Sequence, residues 1–222
     1  AITLDLDDWL RQHSPATAAM FPVERMRAVR EQVFAAHPQH KHDLSILRRM
    51  TLEHALRESG ADMALLEPAY DTFYAARNQV EYYPDALAAL ERIAARVPVA
   101  AVTNGNADLQ RIGLGHLFVH QIHSREHGAA KPEASIFLAA CERLGVPPAE
   151  VLHVGDHIEM DVLGAARAGL RSCWINRPED HDGQPRAWTH ETLRPDLEFH
   201  TLTALADWLD AHPDFATEPA AA

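Results

Sequence analysis

The hydrophobic rhythm of the chain changes twice. Ile2, Thr3, Leu4 and Leu6 favour an extended chain, closed by Asp5, Asp7 and Asp8. This predicts a short buried strand with carboxylates at its carboxyl end. From Trp9 to about Val80 the spacing is helical throughout. Leu44, Leu47, Met50, Leu52, Ala55 and Leu56 recur near the helical repeat and stop at Gly60. A later amphipathic run ends near Val80, with Pro68 close to its start, and carries Leu66, Tyr70, Phe73, Tyr74 and Arg77 on one side. Its aromatic residues read as packing and Arg77 as exposed. An earlier helix is predicted over 22–36, with Pro22 at the helix start, where a missing N–H is tolerated.

After Tyr83-Pro84 strands and helices alternate. Helices are predicted over 84–97, 132–144 and from Asp156 to Gly169; strands over 99–103, 121–123, 151–154 and 170–175. Alternation of this kind implies a parallel sheet covered by helices on both faces. The expected fold is α/β, a three-layer Rossmann-like core of residues 1–8 and 81–222, interrupted after its first strand by an all-helical cap over 9–80. Residues 178–195 have loop composition, Thr203 is placed to cap a short helix reaching Leu209, and 217–222 are expected to fray.

Composition narrows the function classes. A chain of 222 residues with 47% hydrophobic content is globular. No apolar run approaches the roughly 18 residues needed to span a bilayer, and no leader pattern opens the sequence, so a cytoplasmic protein without a membrane partner is expected. The formal charge of −12 disfavours nucleic acid, whose binding rests on a basic face; a small phosphorylated substrate needs only a local basic pocket. Cys141 and Cys173 make no framework or metal spacing and read as small core residues. The densest histidines, His37, His40 and His42, sit in loop composition.

Open parallel sheets bind ligands at the carboxyl ends of their strands. Four polar clusters fall there: Asp5 with Asp7, Thr103 with Asn104, Lys131, and Asp156 with Asp161. A carboxylate is a competent nucleophile toward phosphorus, and a second one nearby can protonate the leaving oxygen and then take a proton from water. Two acids this close repel, which calls for a divalent cation; Mg²⁺ prefers such hard oxygen ligands, and Asp156 supplies another. Thr103, the amides around Asn104 and Gly105, and the Lys131 ammonium answer the phosphate dianion. Asp161, a helical turn beyond Asp156, is placed to orient water or Lys131.

In order and spacing these clusters resemble the four motifs of the haloacid dehalogenase-like hydrolases. The matching segments are DLDD from Asp5, VTNG from Val102, KPEASIF from Lys131 and GDHIEMD from Gly155. The resemblance implies Asp5 as nucleophile and metal ligand. It implies Asp7 as acid/base and, through its carbonyl, a Mg²⁺ ligand. Thr103 and Lys131 then bind phosphate, with the Asn104 amide beside them, Asp156 completes the metal set, and the helical insert is similar to the family's C1 cap. Between Val102 and Ile175 the stretches TNGNA, GLGHLF, HGAAKP, EVLHVGDHIEMDVLGAARAG and CWINR look like bacterial phosphatases of flavin mononucleotide and of the riboflavin precursor 5-amino-6-(5-phospho-D-ribitylamino)uracil. Alternatives are a nucleotide or sugar-phosphate phosphatase, a 2-haloacid dehalogenase, or a non-catalytic phosphoester-binding module. One departure stands out. The family continues DxDxT into a turn, a flap and a first cap helix, whereas Asp8 here is followed at once by Trp9, and a spatial gap at that junction is expected.

Overall fold

The computed structural model describes residues 2–180 and 182–213; the expected fraying of 217–222 falls outside them. The chain divides into two units, one running to Val80 and taking in Asn104–Gly115, the other made of Glu81–Thr103 and the residues from His116 onward.

The first unit is helical: α1 (Ile2–His13), α2 (Pro15–Met20), α3 (Val23–Ala36), α4 (Leu44–Glu58) and α5 (Leu66–Arg77). The Asp43 carboxylate caps α4 by accepting from the amides of Ser45 and Ile46 at 2.9 and 3.0 Å. Pro22 stands just outside α3 as its cap residue, one place earlier than the sequence suggests. Leu6, Leu10, Phe21, Met26, Leu52, Tyr70 and Phe73 form the core, so the aromatic side of α5 is packing. Arginines from α4 cover it: Arg48 lies 4.1 Å over the Phe73 ring and Arg49 3.5 Å over Tyr70.

Helix α1 replaces the predicted strand at residues 2–6, a correction with a clear cause. Leu6, Trp9 and Leu10 fall at i, i+3 and i+4, one helical stripe, and all three join this core. Leu6 and Leu10 keep 3% and 2% of their surface, each contributing about 1.5–3 kcal/mol by burial. The predicted gap at Asp8–Trp9 is also corrected: the helix is unbroken there, and Arg11 reaches back across the junction to the Asp7 carboxylate at 2.8 Å. With Arg11 67% exposed, that pair contributes under about 1 kcal/mol; the leucines hold the helix. Their seat is not fully closed, because Leu6, Asp7, Leu10, Phe21, Met26, Arg48 and Phe73 surround a small cavity.

The second unit is α/β: α6 (Ala86–Ala94), β1 (Ala100–Thr103), β2 (His120–His123), α7 (Ser124–His127), α8 (Ala134–Leu144), β3 (Leu152–Gly155), α9 (Gly164–Arg167), β4 (Arg171–Ile175), β5 (Leu197–Phe199) and α10 (Leu202–Ala211). Among the described residues the strand pairings are all parallel. Ala100 faces His120 across β1–β2, Val154 faces Cys173 across β3–β4, and Cys173 faces Leu197 across β4–β5. Alternation along β4 sorts its two faces. Cys173 and Ile175 pack with Leu205 of α10 and Ile93 of α6, whereas Trp174 packs on Ile158, Val162 and Leu163. Ile136, Phe137, Ala140 and Cys141 of α8 bury themselves against β1 and β2 and reach Val151 beside β3.

Among the described residues the strands form two sheets, β1–β2 and β3–β4–β5, with β1 and β3 each at an open margin. The residues expected to supply a first strand are those of α1. Strand β5 was not anticipated, since three residues after a long polar loop are too few for a readable alternation. Thr201, rather than Thr203, caps α10, its Oγ1 accepting from the Ala204 amide at 3.1 Å. Both cysteines are free and buried; burial, followed by the nearby Asp196 carboxylate, pushes the Cys173 thiol up to about 12.

Candidate active site

The carboxyl end of β3 carries the most organised polar cluster of the second unit. Past Gly155 the chain enters a wide π-helical turn, Ile158–Leu163, that continues into α9 and turns Asp161 back toward the strand. Asp161 Oδ1 accepts from Lys131 Nζ at 2.6 Å and from His153 Nε2 at 3.1 Å, and Oδ2 accepts from the His157 amide at 3.0 Å. Only 4% of the residue is exposed. Burial alone would push this carboxyl up; the His153 hydrogen bond and the Lys131 charge outweigh it and hold the group well below the usual carboxylate range.

Gly155 is what permits that approach. A Cβ there would stand 2.3 Å from Asp161 Cγ, far inside any tolerable contact. Gly164 does the same for the neighbouring helix, where a Cβ would meet the Phe137 ring at 3.0 Å and Pro132 Cα at 3.1 Å. Close packing of α8 on α9 thus fixes the segment that carries Lys131.

Asp156 follows β3 directly. Its side chain is exposed, and its carbonyl accepts from Trp174 Nε1 at 3.0 Å, which ties the loop to the buried face of β4. Thr103 closes β1 in the same unit, while Asn104 opens the segment that groups with the helices. Beyond β4, Arg177 grips the Asp85 carboxylate with two bonds of 2.9 and 3.1 Å, and that carboxylate also accepts from the Leu202 amide at 2.7 Å. Arg177 stacks on Tyr83, whose hydroxyl donates to Asp180 at 2.6 Å.

Lys131 and Asp161 are therefore in direct contact, and Asp156 and Thr103 stand at strand ends of the same unit. Asp5 and Asp7 are not at a strand end. Both lie on α1 in the helical unit, Asp5 exposed and Asp7 buried against Arg11. The residue that sequence reasoning missed is His153. Its signal was weak, because a lone histidine within a strand reads as core.

Magnesium asks for several hard oxygen donors around one point. Asp5, Asp7 and Asp156 have the right donor chemistry, but among the described residues no three acidic, histidine or cysteine side chains gather to hold an ion.

The parallel α/β unit carries an ion-paired lysine and aspartate beyond its strands, and residues 1–169 match the family described as haloacid dehalogenase-like hydrolase. The chain belongs to that family. Among curated relatives, the 5-amino-6-(5-phospho-D-ribitylamino)uracil phosphatase YigB of Escherichia coli (strain K12) is 32% identical over 226 residues, covering 92% of this chain and 94% of YigB. An alignment of that length over 92% of 222 residues means that YigB carries positions with no counterpart here. The pyrimidine 5'-nucleotidase YjjG of the same organism is 34% identical over 65% of this chain and 69% of its own length. Among solved structures, the 2-haloacid dehalogenase from Pseudomonas syringae pv. Tomato DC3000 superposes with a TM-score of 0.82 at 33% identity, over 95% of this chain and 90% of that one. No helix among the described residues is long and apolar enough to cross a membrane.

Proposed function

We propose that this chain is a phosphoric monoester hydrolase acting on a small phosphorylated metabolite, with 5-amino-6-(5-phospho-D-ribitylamino)uracil as the favoured substrate. The observation that carries the reading is the Lys131–Asp161 pair at 2.6 Å, backed by His153 of β3. Such a buried, anchored ammonium suits a phosphoryl dianion. The named activity of YigB, which covers nearly the whole chain, supplies the substrate.

The chemistry assigned to the chain is a two-step transfer. One Asp5 carboxylate oxygen attacks phosphorus, the phosphorus–oxygen bond to the leaving group breaks, and Asp7 gives that oxygen a proton. Water then attacks phosphorus, Asp7 takes its proton, and the Asp5–phosphorus bond breaks to release phosphate. Thr103 and the Asn104 amide donate to the phosphoryl oxygens, and Lys131 offsets their charge in transit. Mg²⁺, when bound by Asp5, the Asp7 carbonyl and Asp156, would neutralise the charge that gathers between the carboxylates and the phosphoryl group.

This reading requires residues 2–8 to leave α1. The open margins of β1 and β3 offer them a destination. Ile2, Leu4 and Leu6 alternate with Thr3, Asp5 and Asp7, a period that suits a strand as well as the LxxWL spacing suits a helix. In this reading a strand between β1 and β3 would carry Asp5 and Asp7 to the carboxyl ends of the parallel strands, the end at which Thr103 closes β1 and Asp156 follows β3. The shortfall against YigB is consistent with the abrupt Asp8–Trp9 junction, which tethers this segment closely to the helices.

The test is a panel of phosphoesters (the riboflavin precursor, flavin mononucleotide, nucleotides and sugar phosphates) ranked by kcat/KM with Mg²⁺ and with EDTA. The precursor is expected to rank first and EDTA to stop turnover. Failure of both flavin-pathway compounds to rank high would end the substrate assignment. The likeness to a 2-haloacid dehalogenase favours one other reading, and halide release from a 2-haloacid that survives EDTA would establish it in place of this one. Tight phosphoester binding without turnover would mark a binding module.

A further inference from the structure

We propose that His153 is a positioning residue for Lys131, acting through Asp161. Its catalytic consequence rests on the phosphatase reading; the hydrogen bond itself does not. His153 points from β3 into a nearly closed space, with 10% of its side chain exposed. The Phe137 ring of α8 meets it edge-on, centroids 4.9 Å apart and planes at 86°. That contact leaves the imidazole few orientations, and the one it holds puts Nε2 3.1 Å from Asp161 Oδ1.

The same oxygen receives the Lys131 ammonium at 2.6 Å. An ionised carboxylate is acceptor-only, so the imidazole must donate, which places a hydrogen on Nε2. Three donors therefore clamp Asp161: the imidazole and ammonium on Oδ1 and the His157 amide on Oδ2. The ring belongs to β3 and the amide to the residue that caps the π-helical turn, both backbone-anchored positions, while the ammonium terminates a flexible four-carbon stem. Order thus passes from strand to imidazole to carboxylate to ammonium. Without the imidazole, Asp161 can turn about its side-chain bonds and carry the ammonium with it. Misplacement of about 1 Å in a charged group that meets the transition state is costly, up to about 100-fold in rate.

The composition makes the inference directly measurable, because Lys41 and Lys131 are the only lysines. Protein labelled with ¹³C and ¹⁵N at lysine gives one ammonium signal from each, and Lys41 serves as internal reference. His153→Gln keeps an N–H donor near the Nε2 position; His153→Leu removes it; His153→Asn keeps polarity but falls short. The Lys131 signal is expected to move in the Leu and Asn variants and to stay near the wild-type position in the Gln variant. With p-nitrophenyl phosphate and Mg²⁺, kcat is expected to fall about tenfold or more in the Leu and Asn variants with a smaller change in KM, and to recover in the Gln variant. Thermal unfolding of each variant checks that it folds, and the Asn variant carries the comparison if the Leu variant does not. An unmoved Lys131 signal in both Leu and Asn variants overturns the proposal, as does equal behaviour of Gln and Leu. If wild-type protein hydrolyses no phosphoester, the phosphatase reading fails and the Lys131 signal alone decides for or against His153.

Discussion

Asp161 concentrates more consequence than any other side chain in the second unit. Its carboxyl is held below the ordinary range by His153 and Lys131 against the opposing effect of burial. A group depressed in the folded state contributes stability that is complete above its unfolded value and is lost as pH falls through the folded one. The melting temperature is thus expected to drop on acidification below about pH 4, and Asp161→Asn is expected to flatten that drop. At neutral pH the same variant removes the Asp161 charge from the Lys131–Asp161 pair and is expected to lower stability by about 3 kcal/mol in urea unfolding. Gly155→Ala attacks the same point from the backbone. Its methyl group would fall on the Asp161 carboxylate, so kcat/KM is expected to decrease about tenfold or more, and wild-type activity in this variant would refute the claimed tight approach. At this scale the sequence offered Lys131, Asp156 and Asp161 as candidates because chemistry-bearing residues at strand ends are few, and the expectation that Asp161 could orient Lys131 agrees with their contact at 2.6 Å. His153 was not among them, since nothing in LHVG separates a positioning imidazole from a buried one.

Between elements, the legibility of the chain followed the strength of its periodicity. Helices α3, α4 and α5 and strands β1 to β4 lie where apolar spacing and glycine or proline punctuation put them. Residues 2–8 are where the reading failed, and the reason is an ambiguity in the chain itself. Alternate apolar residues over 2–6 argue for a strand, while Leu6, Trp9 and Leu10 argue for a helix; the helical core decides because it buries both leucines. Leu10→Ala removes part of that decision without touching the alternating segment. It is expected to cost about 2–5 kcal/mol in the helical unit and to speed hydrogen exchange of the amides over 5–9; unchanged exchange there would show that Leu10 does not hold α1. A different joint ties β4 to α6 and α10. Arg177, buried and bidentate on Asp85, links them through the amide of Leu202. Arg177→Met leaves that carboxylate without its cation and is expected to lower stability by about 3 kcal/mol in denaturant unfolding; a change under about 0.5 kcal/mol would show the pair to be dispensable.

At the scale of the whole molecule, the chain folds into a helical unit whose core includes α1 and a parallel α/β unit whose strands, among the described residues, form two sheets. The family assignment rests on residues 1–169 and on relatives spanning most of the chain. The sequence showed the α/β class plainly, because strand–helix alternation after residue 84 admits little else. It did not show that the strands would divide into two sheets, because the expected first strand is helix α1 here. The catalytic proposal accordingly turns on Asp5. The most direct measurement is rapid-quench mass spectrometry of protein mixed with Mg²⁺ and p-nitrophenyl phosphate, mapping any phosphoryl group to its peptide. The account requires a transient phosphoryl group on Asp5 in the wild type, none in Asp5→Asn, and a loss of turnover of about 10⁴-fold or more in that variant. Mg²⁺-dependent turnover that persists in Asp5→Asn, or a phosphoryl group on a different residue, would contradict it.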